Sequence, residues 1–180
     1  LKVKKGIVFS LIGPNGAGKT SLINCISKFY VPHEGKIIFN GREITPLRPY
    51  EVARCGISRT FQNIELFKGM TVLDNIKLGR HIHLRSGSLS GIIYWGKAKR
   101  EEQELEAFLD REILDFLGLT PIKHRVVATL PYGLQKRVDL ARALSAKPEF
   151  LILDEPVAGM NREERQDMMK HILEIKTVWG

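Results

Sequence analysis

The sequence carries only two cysteines, Cys25 and Cys55, and they form no CxxC pair. That excludes the common zinc and dithiol patterns and fits two structural thiols in a reducing compartment. No run approaches the roughly 18 consecutive apolar residues that a membrane-spanning helix needs. The opening segment LKVKKGIVFS lacks a signal-peptide cleavage pattern. Internal repeats and low-complexity tracts are also missing, which excludes solenoids and biased linkers. Among five histidines, His81 and His83 stand close together. Without a third ligand the two are read as surface residues rather than a metal pair.

What is present suffices for one substantial core, since 43% of 180 residues are hydrophobic. The formal charge of +8 invites a nucleic-acid or anionic-membrane partner. The basic residues are interleaved with acids, however, as in KAKREEQELEAFLDREILDF, the pattern of a solvated charged face.

Gly6 to Ile12 is apolar and β-branched, breaks into a glycine-rich loop and resumes as a helical pattern over Thr20 to Phe29, which predicts strand, loop, helix. Gly35 and Gly41 bracket Ile37 to Phe39, the arm of a β-hairpin. From Thr71 to about Val127 the character turns helical, interrupted by RSGSLSG. Leu105, Phe108, Leu109, Ile113, Phe116 and Leu117 then share one helix face that Gly118 closes. Leu134 to Leu144 predicts another helix, and Phe150 to Leu153 a buried parallel strand. The expected fold is α/β, with an antiparallel β-subdomain and a helical insertion.

Residues 13 to 20, GPNGAGKT, match G-x-x-x-x-G-K-[ST] between a predicted strand and a predicted helix. Gly16 and Gly18 let backbone N–H groups converge on phosphate oxygens at a helix N-terminus, with Gly13, Pro14, Asn15 and Ala17 completing the loop. Lys19 supplies a point charge for the β- and γ-phosphates of ATP. The Thr20 hydroxyl is placed to ligate Mg2+, with Ser21 as a fallback. Asp154 and Glu155 end the apolar run Phe150 to Leu153, at the strand edge where α/β sheets bind ligands. Adjacent side chains diverge there, so Asp154 can hold magnesium while Glu155 faces an attacking water as general base.

With both motifs in view, the chain resembles the ATP-binding subunits of ABC transporters, a P-loop NTPase family, over essentially its whole length. RTFQNIELF, residues 59 to 67, is similar to that family's glutamine loop, which implies that Gln62 touches magnesium or the attacking water and senses the membrane partner. LPYGLQKRVDLARAL, residues 130 to 144, resembles the signature motif and its helix. The resemblance implies that a second ATPase subunit's signature completes each ATP site, with Tyr132 and Gly133 touching nucleotide. Asn161, in AGMN, resembles the loop after the acidic strand. Pro131, Tyr132 and Leu134 depart from the commonest signature, LSGGQ, removing a phosphate-binding hydroxyl. Proline at a first helical turn still leaves backbone donors available.

RTFQ, the Tyr-Gly signature and the AGMN loop are most similar to importers of branched-chain amino acids. That likeness implies permease subunits as partners, a substrate-binding protein acting indirectly, no nucleic acid, and a peripheral position at the cytoplasmic membrane face. By resemblance, residues after Gln62 and those of the insertion meet the permease. Residues 1 to 62 and 145 to 180 are expected to form a RecA-like core with a β-arm, and about 63 to 144 a helical subdomain.

The family's adenine-stacking aromatic and switch histidine are not matched, which suggests a cassette truncated at both ends. His171 falls too early, in a helical pattern, to be that histidine. Tyr94 and Trp95 are expected in core packing rather than at an interface. Two alternatives stay open: a nucleic-acid-associated ATPase of the same superfamily, disfavoured by the lack of a long heptad coiled coil, and a nucleotide-binding module without turnover.

Overall fold

The computed structural model describes residues 1–80 and 94–179. His81 and His83 lie outside the described residues, and Tyr94 and Trp95 are described only as the backbone that opens a helix.

The predicted helix after the glycine-rich loop is α1, Lys19–Ile26. The expected hairpin follows as β1, Ile38–Phe39, and β2, Arg42–Glu43, paired antiparallel with Ile38 opposite Glu43. Its two-residue turn is Asn40-Gly41, with φ of 48° and 77°. Both angles are positive, as a type I′ turn requires, and asparagine and glycine are the residues that tolerate them.

A short helix α2, Pro49–Arg54, leads into β3, Ile57–Arg59. β3 pairs in parallel with β4, Phe150–Ile152, setting Ile57 opposite Phe150 and Arg59 opposite Ile152. The Thr60 amide extends the ladder by donating to the Ile152 carbonyl at 3.0 Å. The predicted parallel strand is therefore present and stops one residue short, at Ile152. The predicted strand over Gly6 to Ile12 is corrected: the segment joins no ladder among the described residues, and Ile12 is 90% exposed. A β-branched run supplies only propensity, and a strand is made by the neighbour that satisfies its backbone.

The remaining described elements are helical. α3, Val72–Arg80, lies against α5, Tyr132–Ser145, and α4, Tyr94–Phe108, runs into a π-helical segment, Leu109–Leu114. The predicted closure at Gly118 is a Schellman motif. Gly118 has φ 64°, its amide donates to Asp115 O at 3.0 Å, and the Leu119 amide donates to Leu114 O at 2.7 Å. The face predicted from periodicity is the buried one. Leu109, Ile113 and Leu117 are core residues, with Leu105, Phe108 and Phe116 packed around them.

α6, Arg162–Trp179, starts at a reciprocal capping box, with Glu164 N donating to Asn161 Oδ1 at 2.9 Å and Asn161 N to Glu164 Oε2 at 3.0 Å. His171 sits within α6 with its ring edge-on to Phe116, 5.6 Å away. Two apolar clusters result: one joins α3, the π-helical segment, α5 and Met168 of α6, and a smaller one joins Ile44, Val52, Ile57 and Ile152.

Candidate nucleotide site

Two glycines give the phosphate loop its shape, because Gly16 and Gly18 both adopt φ 83°. A side chain would be strained at either position, while the space around both is open. Gly18 caps α1, so the first turn of that helix presents its unpaired N–H groups beside the loop. Lys19 folds back over the loop. Its ammonium donates to Gly13 O at 2.6 Å and Pro14 O at 2.8 Å. Thr20 and Ser21 are exposed at the start of α1. Phosphate oxygens entering the loop would take over the lysine's donors from those carbonyls.

The end of β4 separates its two carboxylates as expected, with Asp154 buried and Glu155 exposed. Glu155 has φ 46°, an unusual conformation for a residue with a side chain, of the kind that costs about 1–3 kcal/mol and concentrates at functional sites. Across from it, Gln62 Nε2 donates to Glu155 Oε2 at 3.0 Å. Asp154 Oδ2 accepts from Arg59 Nη2 at 2.8 Å in an ion pair whose side chains are only 9% and 11% exposed. Arg59 Nη1 donates in turn to Asn24 Oδ1 at 2.7 Å. The structure thus unites Asp154, Glu155 and Gln62, and ties them to the helix that opens with Lys19 and Thr20.

Tyr132 packs beside Gly159, where an added Cβ would lie 2.9 Å from the Tyr132 ring. Gly133 faces Glu164, whose carboxylate would be 2.3 Å from an added Cβ. Both belong to the first turn of α5, and Tyr132 is 44% exposed. No hydrogen bond among the described residues joins either to the phosphate loop.

Three residues escaped the sequence reading. Arg59 and Asn24 are one pair. The third is Lys136, buried on α5, whose ammonium donates to the Gln62 carbonyl at 2.7 Å. Burial lowers its pKa, opposed by the charges of Asp139, Glu155 and Asp154. Beside it, burial raises the pKa of Asp139, opposed by Arg142, the Phe61 amide and Lys136. A buried cation carries no periodic signature, because lysine and arginine are usually solvated. Their position in the RTFQ and signature segments was the only available hint.

A phosphate-binding loop whose helix is strapped to the acidic end of a parallel strand is the arrangement of a phosphate-loop nucleotide-binding protein. Comparison with known proteins narrows this class. A family model described as ABC transporter matches residues 1–158. The chain is 40% identical over 177 residues to the high-affinity branched-chain amino acid transport ATP-binding protein BraF of Pseudomonas aeruginosa, covering 98% of this chain and 69% of that one. It is 39% identical over 171 residues to LivG of Escherichia coli K12, described in the same words, covering 94% and 66%. Among solved structures, a nucleotide-free ATP-binding cassette from an ABC transporter superposes with a TM-score of 0.80 at 37% identity, covering 98% of this chain and 69% of that chain. An ADP-bound cassette of an ABC transporter gives 0.78 at 37% identity, covering 96% and 67%. The chain belongs to the ABC transporter family, as one of its ATP-binding cassettes.

Proposed function

We propose that the chain hydrolyses ATP to power an importer of branched-chain or related amino acids. The observation that carries the hydrolytic part is the Gln62–Glu155 contact at the end of β4, beside the buried Asp154. The cargo rests on the likeness to BraF and LivG.

ATP would place its β- and γ-phosphates in the loop of residues 13 to 20, held by backbone N–H groups and by Lys19. Glu155, exposed and in hydrogen-bond reach of Gln62, would accept the proton of a water that attacks the γ-phosphate. Gln62 orients that water through its amide. The chain's own donors suit Mg2+, which takes one or two carboxylates plus phosphate oxygens rather than an all-protein cage. Thr20, Asp154 and Gln62 offer oxygen atoms, and no group of three His, Cys, Asp or Glu side chains forms a cage among the described residues. When bound, magnesium neutralises phosphate charge; Thr20, Asp154 and Gln62 would hold it.

Neither Tyr132 nor Gly133 hydrogen-bonds to its own chain's loop among the described residues, which suits a dimer in which each signature closes the partner subunit's ATP site. No described helix is long and apolar enough to cross a membrane, so attachment to the cytoplasmic membrane face would run through permease subunits, with a substrate-binding protein acting indirectly. Part of the positive charge is neutralised within the fold: Lys77 pairs with Glu102 and Glu106, Lys123 with Asp110, and Arg137 with Asp167.

The test is phosphate release from ATP by the chain reconstituted with permease subunits, together with uptake of labelled leucine. ATP-dependent uptake is the expected result. Phosphate release without uptake of any branched-chain amino acid would discard the cargo, and no release in the assembled complex would discard the hydrolytic role.

A further inference from the structure

We propose that Arg59 is a positioning residue for the magnesium site, clamping the phosphate-loop helix to the acidic strand through Asn24 and Asp154. The inference rests on the ATPase reading above and adds a residue to it.

Three observations carry it. First, the two arms of one guanidinium grip two different elements, Asn24 Oδ1 on α1 at 2.7 Å and Asp154 Oδ2 beyond β4 at 2.8 Å. Second, Asn24 lies four residues after Thr20, so the two share one face of α1. The clamp therefore spans the two elements that bear the oxygen donors Thr20 and Asp154. Third, the guanidinium is fixed from the sides by Phe29 and Phe61, with ring centroids 5.6 and 5.3 Å from its central carbon, and the two rings meet edge to face at 5.7 Å. Such a group has little freedom, and its planar fork is what a bidentate link between two elements requires. By taking Oδ2, Arg59 leaves Oδ1 of Asp154 for the cation and sets the angle of the carboxylate. Partners that orient a metal-binding carboxylate in this way typically change metal affinity by about 10- to 100-fold when removed.

A merely structural ion pair would affect folding and nucleotide affinity without regard to magnesium. The deciding experiment titrates a fluorescent ATP analogue into the wild-type chain, Arg59→Gln, Arg59→Lys and Asn24→Ala, with excess chelator and then across a Mg2+ series. The expected result with chelator is an affinity within about twofold of wild type in every variant, because Lys19 and the loop are untouched. With magnesium, the half-saturating Mg2+ concentration rises about 10-fold or more for Arg59→Gln and less for Asn24→Ala. Arg59→Lys, which keeps the charge but loses the fork, falls between wild type and Arg59→Gln. Unchanged magnesium dependence in Arg59→Gln, or an equal loss of affinity with and without magnesium, overturns the proposal. If Arg59→Gln does not fold, Asn24→Ala decides by the same two criteria, since it cuts one arm and leaves the buried ion pair intact. A wild-type chain that binds no nucleotide overturns the underlying ATPase reading, an outcome distinct from the failure of Arg59 alone.

Discussion

Gln62 and Glu155, 93 residues apart in the chain, meet through one hydrogen bond of 3.0 Å. The contact brings the glutamine loop onto the residue expected to act as general base, and Glu155 has a positive φ of 46°. Glu155→Gln keeps the shape and removes the base. Nucleotide binding should persist, turnover should fall by about 10²- to 10⁴-fold, and an ATP-bound dimer should accumulate. Phosphate release and size-exclusion chromatography with ATP check this together. Turnover that survives the substitution removes Glu155 from the role of base.

Lys19 holds two carbonyls of its own loop in this state, those of Gly13 and Pro14. Binding exchanges these for phosphate oxygens, which are charged acceptors and stronger partners. Lys19→Ala should weaken ATP binding by about a hundredfold, the equivalent of one or two charge-assisted hydrogen bonds. Equilibrium dialysis with labelled ATP measures it. An affinity within threefold of wild type would show that the loop backbone suffices.

The parts of the molecule that reveal themselves in sequence share a property: their residue types are dictated locally. Gly16 and Gly18 announce the loop because few other residues accept φ near 83°. The helix face from Leu105 to Leu117 follows from periodicity, and the hairpin arm from the glycines, Gly35 and Gly41, that bracket Ile37 to Phe39. What stays hidden depends on partners distant in sequence. β3 is three residues long and carries no alternation, so only its pairing with β4 defines it. The reverse error arises at Gly6 to Ile12, where strand-forming residues lack a ladder among the described residues. Arg59 and Lys136 look like any surface cation until the fold buries them.

Gly79 lies where α3 packs tightly against α5. An added Cβ there would sit 2.1 Å from Arg142 O and 2.4 Å from Ser145 Oγ. Ser145 cannot swing aside freely, because its hydroxyl already donates within this interface, to Ile76 O at 2.9 Å or Arg142 O at 2.8 Å. Alanine gains about 1 kcal/mol over glycine in a helix interior, but a clash with backbone must separate the two helices. The overlap should outweigh the propensity gain, giving a net loss of about 1–3 kcal/mol in urea denaturation. A Gly79→Ala chain as stable as wild type would show that α3 and α5 can move apart at little cost.

Asp139 provides a test of how burial governs the signature helix. Asp139 is 1% exposed, and its Oδ1 accepts from Arg142 Nη2 at 2.7 Å. Burial raises its pKa above the ordinary 3.8, against the pull of Arg142, the Phe61 amide and Lys136. A carboxyl with a raised folded-state pKa binds more protons folded than unfolded between the two values. Its contribution to stability is therefore fully present below the unfolded value and is lost as pH rises through the folded one. Asparagine cannot titrate but retains a carbonyl for Arg142. Over a series of urea melts from about pH 4 to 7, the stability of wild type relative to Asp139→Asn should decline with rising pH. A difference that stays constant would mean that Arg142 and Lys136 offset the burial of the carboxylate, leaving it to titrate as it does in the unfolded chain.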